Sequence, residues 1–131
     1  MEQERQTATR NKEDPASQIQ ITGGGRTFAV TLLDHPAARA FRERLPLTVR
    51  MEELNGNEKY GSLPEPLPVD SQRPGEIQAG DLMLYGSDCL VLFYESFPSE
   101  YRYTRLGRVE HPSGLAAALG TGSVEVVFQR A

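Results

Sequence analysis

Apolar residues recur at every second position in short runs along most of this chain, and each run stops at a turn rich in glycine, proline or aspartate. Such alternation places one face of an extended strand in a core and the other in water. Ile19 and Ile21 alternate with polar neighbours before Gly23-Gly24-Gly25, and Phe28, Val30 and Leu32 alternate after it, so this stretch reads as a hairpin. The glycine triplet is no phosphate loop, because Arg26 leads into a β-pattern instead of a Lys-Ser/Thr pair and a helix. Leu47, Val49 and Met51 mark another strand with a single core face, and Val124, Val126 and Phe128 mark the last one. Leu82 to Tyr85 and Cys89 to Tyr94, joined by Gly86-Ser87-Asp88, form the strongest hairpin signal in the chain.

Two short helices interrupt the β-pattern. Asp34 is placed to cap the first, with Pro36 in its opening turn and Ala37, Phe41 and Leu45 spaced four apart as its buried stripe. It ends at Leu45-Pro46, because a residue before proline is pushed out of the helical region. Ser113 is placed to cap the second, in which Leu115 and Leu119 lie four apart and Gly120 is the stop. Residues 55–79 are rich in proline and glycine and read mostly as loop, with a short β piece near Tyr60. So long a loop is often functional. Glu95 to Ser99 reads as a turn. The expected fold class is mostly β, a closed barrel that leaves no open sheet edge, with the two helices at its ends.

Residues 1–17 are dominated by Glu, Gln, Arg, Asn and Thr and are expected to be a disordered tail, leaving residues 18–131 as one folded domain. The chain has 131 residues, 38% hydrophobic and 24% charged, enough for one core and polar enough to be soluble. Its formal charge of −4, with scattered basic residues, disfavours nucleic acid as a partner. No apolar run approaches the roughly 18 residues of a membrane span, and no signal-peptide core is present, so cytoplasmic residence without membrane contact is expected. Cys89 stands alone and reads as a small core residue, since it lacks a disulfide partner and an electropositive setting. His35 and His111 are too few and too isolated to suggest a metal site, and no cofactor is implied. Glu52 and Glu53 are adjacent, point to opposite faces of a strand, and read as solvated.

Three segments carry a resemblance: LPLTVRMEELNGNEKYGSLP (Leu45 to Pro64), PGEIQAGDLMLYGSDCLVLFYES (Pro74 to Ser96) and YTRLGRVEHPSGLAAAL (Tyr103 to Leu119). Together with the order of strands and helices, they resemble the cyclophilin-like barrel, and more closely bacterial cyclophilin-like domains of uncertain function. The resemblance implies a closed barrel with two helices. It also implies a site where an arginine donor and an apolar pocket act on an X-Pro bond, whose rotation barrier is roughly 18 to 20 kcal/mol. Arg50 is the positional match for that arginine and Phe93 for the pocket residue. The family's Phe-His-Arg strand motif is present only as Thr48-Val49-Arg50, and its glutamine-containing glycine segment has no counterpart.

These residues define the candidate site. Tyr60, Tyr85, Phe93, Tyr94, Tyr101 and Tyr103 are an aromatic concentration able to line a pocket or to pack in a core. The preferred expectation is a binding module whose groove on the barrel wall, near Arg50, Tyr60, Phe93 and Tyr103, accepts a small molecule or extended peptide. The alternatives are a prolyl isomerase that uses Arg50 as catalytic donor, or a scaffold or oligomerisation domain without a ligand site.

Overall fold

The computed structural model describes residues 17–131. The tail expected to be disordered therefore lies, apart from Ser17, outside the described residues. Among those residues there are ten strands and two helices. The strands are β1 (Gln18–Gly23), β2 (Arg26–Leu32), β3 (Leu47–Leu54), β4 (Glu58–Ser62), β5 (Gly75–Ile77), β6 (Asp81–Tyr85), β7 (Cys89–Phe93), β8 (Phe97–Ser99), β9 (Thr104–Val109) and β10 (Val124–Arg130). The helices are α1 (Pro36–Glu43), between β2 and β3, and α2 (Leu115–Leu119), between β9 and β10. Eight strands close an antiparallel barrel in the order β1-β10-β3-β4-β7-β6-β9-β2, and β5 and β8 pair as a separate two-stranded ribbon. The mostly β closed barrel with two helices is thus what the chain forms, and none of these helices is long and apolar enough to cross a membrane.

Alternation sorts the side chains. On β3, Val49 and Met51 point inward, while Arg50 and Glu52 stay exposed on the outer face. The interior collects Ile19, Val30, Phe128 and other buried apolar residues, and α1 adds Phe41, whose ring meets Phe128 edge-on at 5.7 Å. Leu115 and Leu119 of α2 join the same interior cluster. In the first hairpin Gly23 pairs with Arg26, so Gly24 and Gly25 make a two-residue turn at φ 60° and 80°. Both values lie where glycine is favoured, as a primed hairpin turn requires.

Several local expectations are corrected. α1 is capped by His35, whose Nδ1 accepts from the Ala38 amide at 3.2 Å, while Asp34 pairs with Arg39 instead. The helix begins at Pro36, so the cap position falls on His35, and its ring reaches the amide three residues on. The residue before α2 is Gly114 and no side chain caps it, so Ser113 has no capping role. The stretch expected to be mostly loop has its β piece near Tyr60 as β4, but it also contains β5, and the turn at Glu95 to Ser99 contains β8. β4 follows a three-residue connection, Asn55-Gly56-Asn57, that brings Glu58 opposite Leu54.

β6 and β7 do not alternate between buried and exposed positions, because both their faces are covered. Leu82, Leu84, Leu90 and Leu92 face the interior. Met83, Val91 and Phe93 face outward and pack with Ile77 and Tyr103 into a second buried cluster, which Phe97 of the β5–β8 ribbon helps to cover. Continuous apolar runs are what a strand buried on both faces requires.

Candidate functional site

The second cluster forms the base of the largest cavity described, about 540 Å³, on the outer wall of the barrel. Register explains its lining. On β4, Lys59 and Gly61 face inward, so Glu58 and Tyr60 face outward, opposite Phe93 and Val91 of β7. Tyr85, the last residue of β6, and Tyr103, just before β9, bring their rings to the same face, and Phe97 and Tyr101 approach from the segment between β7 and β9. The rings form a chain: Tyr101 to Tyr85 at 6.3 Å, Tyr85 to Tyr103 at 5.7 Å, Tyr103 to Phe93 at 5.6 Å and Phe93 to Phe97 at 5.7 Å. Separations and tilts of this kind are favourable for aromatic pairs.

Of the residues expected at the groove, Tyr60 and Tyr103 both line the cavity. Phe93 is fully buried and does not line it; its ring holds Tyr103 and Phe97 from behind. Arg50 is not among the lining residues. It lies on the outer face of β3, where Nη2 donates to Ser123 Oγ at 3.0 Å and Nε stands 3.6 Å from Glu52. Of the remaining aromatics, Tyr85 and Tyr101 line the cavity. Tyr94 turns the other way, and its hydroxyl donates to Glu53 at 2.8 Å. Cys89 is not a core residue: it is half-buried in the cavity wall. Burial, then the charges of Asp88 and Glu58, push its thiol above the ordinary range, which suppresses nucleophilic chemistry there. His111 is exposed beyond β9.

Glu58 is the residue that sequence reasoning missed. It lines the cavity, is only 8% exposed and has no hydrogen-bond or ion-pair partner among the described residues. Burial, reinforced by repulsion from Glu53, pushes its carboxyl up to about 7. Beside it, Asn57 also lines the cavity and has its buried Oδ1 without a partner. Buried polar atoms in native proteins are nearly always paired, so the buried Asn57 Oδ1, with the Glu58 carboxyl opening to the cavity beside it, marks an end of the cavity that can accept a donor. The Asn55-Gly56-Asn57 turn just before Glu58 was the available signal, but the partner strand that sets Glu58 opposite Phe93 comes from more distant sequence.

The inward neighbour of this end is finished. Lys59 is fully buried, and its Nζ donates to Gly120 O at 2.8 Å and Gly122 O at 2.5 Å while pairing with Glu53 Oε1 at 2.9 Å. Glu53 is therefore not the solvated residue expected. Burial raises its pKa, but the hydrogen bonds from Lys59, Tyr94 and the Gly56 amide outweigh that and hold the carboxyl below its ordinary range. Tyr94 is pushed up to about 12, by burial first and then by its bond to Glu53. A second cavity, about 360 Å³, lies beside β2 and β9, but its charges are already matched. Asp81 accepts from Arg108 Nε at 3.0 Å and from the Gln78 amide at 2.9 Å.

Comparison with known proteins agrees with the architecture. The family model for the Cyclophilin-like family matches residues 21–129. A search of curated proteins finds no match. The solution structure of a hypothetical protein from Archaeoglobus fulgidus is similar, with a TM-score of 0.63 at 16% identity over 88% of this chain and 95% of that one. McbB, solved in complex with tryptophan, is similar at the same TM-score of 0.63 and 18% identity over 86% of this chain. Only 44% of the McbB chain is covered. Identities this low establish a shared fold.

Proposed function

The chain belongs to the cyclophilin-like family, and from that premise we propose that it is a binding module whose outer-wall cavity receives a small, partly aromatic ligand. One observation carries the reading: five aromatic residues, Tyr60, Tyr85, Phe97, Tyr101 and Tyr103, wall a cavity of about 540 Å³ whose polar end holds the unpaired Glu58 carboxyl. Ligand sites combine such apolar walls with a few directed polar groups, and this volume falls in their usual range of about 300 to 1,000 Å³. The scaffold alternative would have the aromatic residues packed away in the core, whereas Tyr85 is 48% and Tyr101 67% exposed. McbB, of which 44% matches this barrel, is solved in complex with tryptophan, and a ligand of comparable size fits a cavity of this volume.

Isomerisation at this cavity is the weaker reading. The donor it needs is an arginine at the pocket, and among the described residues no arginine lines the wall. A fold does not by itself carry the activity of its best-known members.

Titration of isotopically labelled protein with indole, a neutral aromatic probe, tests the proposal. Saturable amide shifts at Glu58, Tyr60, Val91 and Tyr103 are the expected result. The reading is overturned if indole shifts nothing up to its solubility, or only residues around Arg105 and Arg108.

A further inference from the structure

The unfinished end of the cavity has a definite chemical sense, and its selectivity presupposes the binding role just proposed. Its polar groups are acceptors. The Glu58 carboxyl and Asn57 Oδ1 lack partners, and no lysine or arginine is among the lining residues. The titratable groups whose charge acts on Glu58 are Glu53 and Tyr94, which are bonded to each other on the far side of β4, and Cys89 and Tyr103 on the cavity side. The nearby cation, Lys59, is already committed to Glu53 and two carbonyls. An anionic ligand would meet repulsion here and a purely apolar one would leave both acceptors unpaired. An ammonium group supplies N–H donors for both, and the faces of Tyr60, Tyr85 and Tyr103 add the attraction of aromatic rings for a cation.

We infer that the cavity selects small organic ammonium ions with an aromatic or apolar body, the ammonium meeting Glu58 and the body lying against the ring-lined wall. The protein's net charge of −4 favours the approach of such a cation.

Binding then couples to one proton. With its carboxyl at about 7 before ligand arrives, Glu58 is mostly ionised at pH 8 and about nine-tenths protonated at pH 6. An alkylammonium keeps its charge across that range. Affinity for the cation should therefore weaken about tenfold from pH 8 to pH 6.

The test compares three probes of one shape by calorimetry at pH 6 and pH 8: tryptamine, neutral 3-propylindole, and anionic indole-3-propionate. At pH 8 tryptamine should bind at least tenfold more tightly than 3-propylindole, indole-3-propionate should bind worst, and tryptamine alone should lose affinity at pH 6. Glu58→Gln should abolish both the preference and the pH dependence while leaving 3-propylindole unchanged, which shows that the variant is folded and its cavity intact. If the three probes bind alike, or the anion binds best, the ammonium inference is wrong and the cavity reading stands. If tryptamine is preferred equally by Glu58→Gln, the assignment to Glu58 is wrong. If no probe binds, the cavity reading falls as well.

Discussion

Glu58 and Lys59 are neighbours on one strand, both nearly inaccessible to water, and their surroundings could hardly differ more. Lys59 points into the barrel and has three acceptors, two of them carbonyls of the segment that follows α2. Glu58 points out to the cavity, and its carboxyl has none among the described residues. Burying a charge is tolerable when partners replace its water, and costly otherwise. The inward side of β4 is thus closed by interactions within the chain, and the outward side is held in a state that a ligand can complete. On the proposed function, stability resides on one face of the strand and recognition on the other.

Breaking the inward half should have the largest effect. Lys59→Met keeps the apolar stem that packs along the barrel but removes the ammonium, leaving the ionised Glu53 and two carbonyls without their donor. Removing one partner of a buried pair typically costs about 3 to 5 kcal/mol. Urea unfolding should show a loss of about 3 kcal/mol with an unchanged denaturant slope. A loss below about 1 kcal/mol would mean that Lys59 is not the tie between β4 and the turn after α2.

The outward half should respond with the opposite sign. In the folded chain the Glu58 carboxyl titrates near 7, against an ordinary value of 4.5. Between those values the folded state holds the proton more tightly than the unfolded one. Its contribution is therefore fully present below about pH 4.5 and lost as pH rises through about 7. Glu58→Gln never ionises and escapes that loss. It should stabilise the protein by about 3 kcal/mol at pH 8 and leave it nearly unchanged at pH 4. Paired melts at the two pH values measure this. Equal stability of variant and wild type at pH 8 would show that water or a partner already satisfies the carboxylate.

The same contrast governs how much of the molecule was legible in the sequence. Period-two alternation exposed the strands with one buried face, and Gly23-Gly24-Gly25 and Gly86-Ser87-Asp88 exposed their turns, because those signals are local. The unbroken run Cys89 to Phe93 read only as one arm of a hairpin, although a continuous apolar run is what a strand covered on both faces requires. What covers it could not be read, because β5 and β8 are three residues long and become strands only by pairing with each other. Tyr60 and Tyr103 were singled out as aromatic wall, and they do meet at the cavity. Glu58 was not, since a glutamate after an Asn-Gly turn ordinarily points to water. It lies opposite Phe93 and shares a cavity with Phe97 and Tyr103, all thirty-five or more residues away in sequence, and no local pattern encodes that. Family resemblance placed weight on Arg50, yet outward-facing residues two positions apart on a strand can serve different surroundings.

Arg50 supplies the smallest effect and the cleanest control. It shares the outer face of the barrel with the cavity wall, but its guanidinium is committed to Ser123 and Glu52, and the two side chains of that ion pair are 66% and 51% exposed. Exposed pairs of this kind contribute about 0 to 1 kcal/mol and are screened by salt. Arg50→Ala should shift stability by less than about 0.5 kcal/mol and leave the affinities for indole and tryptamine within twofold of wild type. A tenfold loss of affinity would instead extend the recognition surface across β3 and restore the arginine to the site. The two halves of β4 would then remain as described, but the cavity beside Glu58 would be only one end of a longer groove, and an extended peptide would become the better occupant.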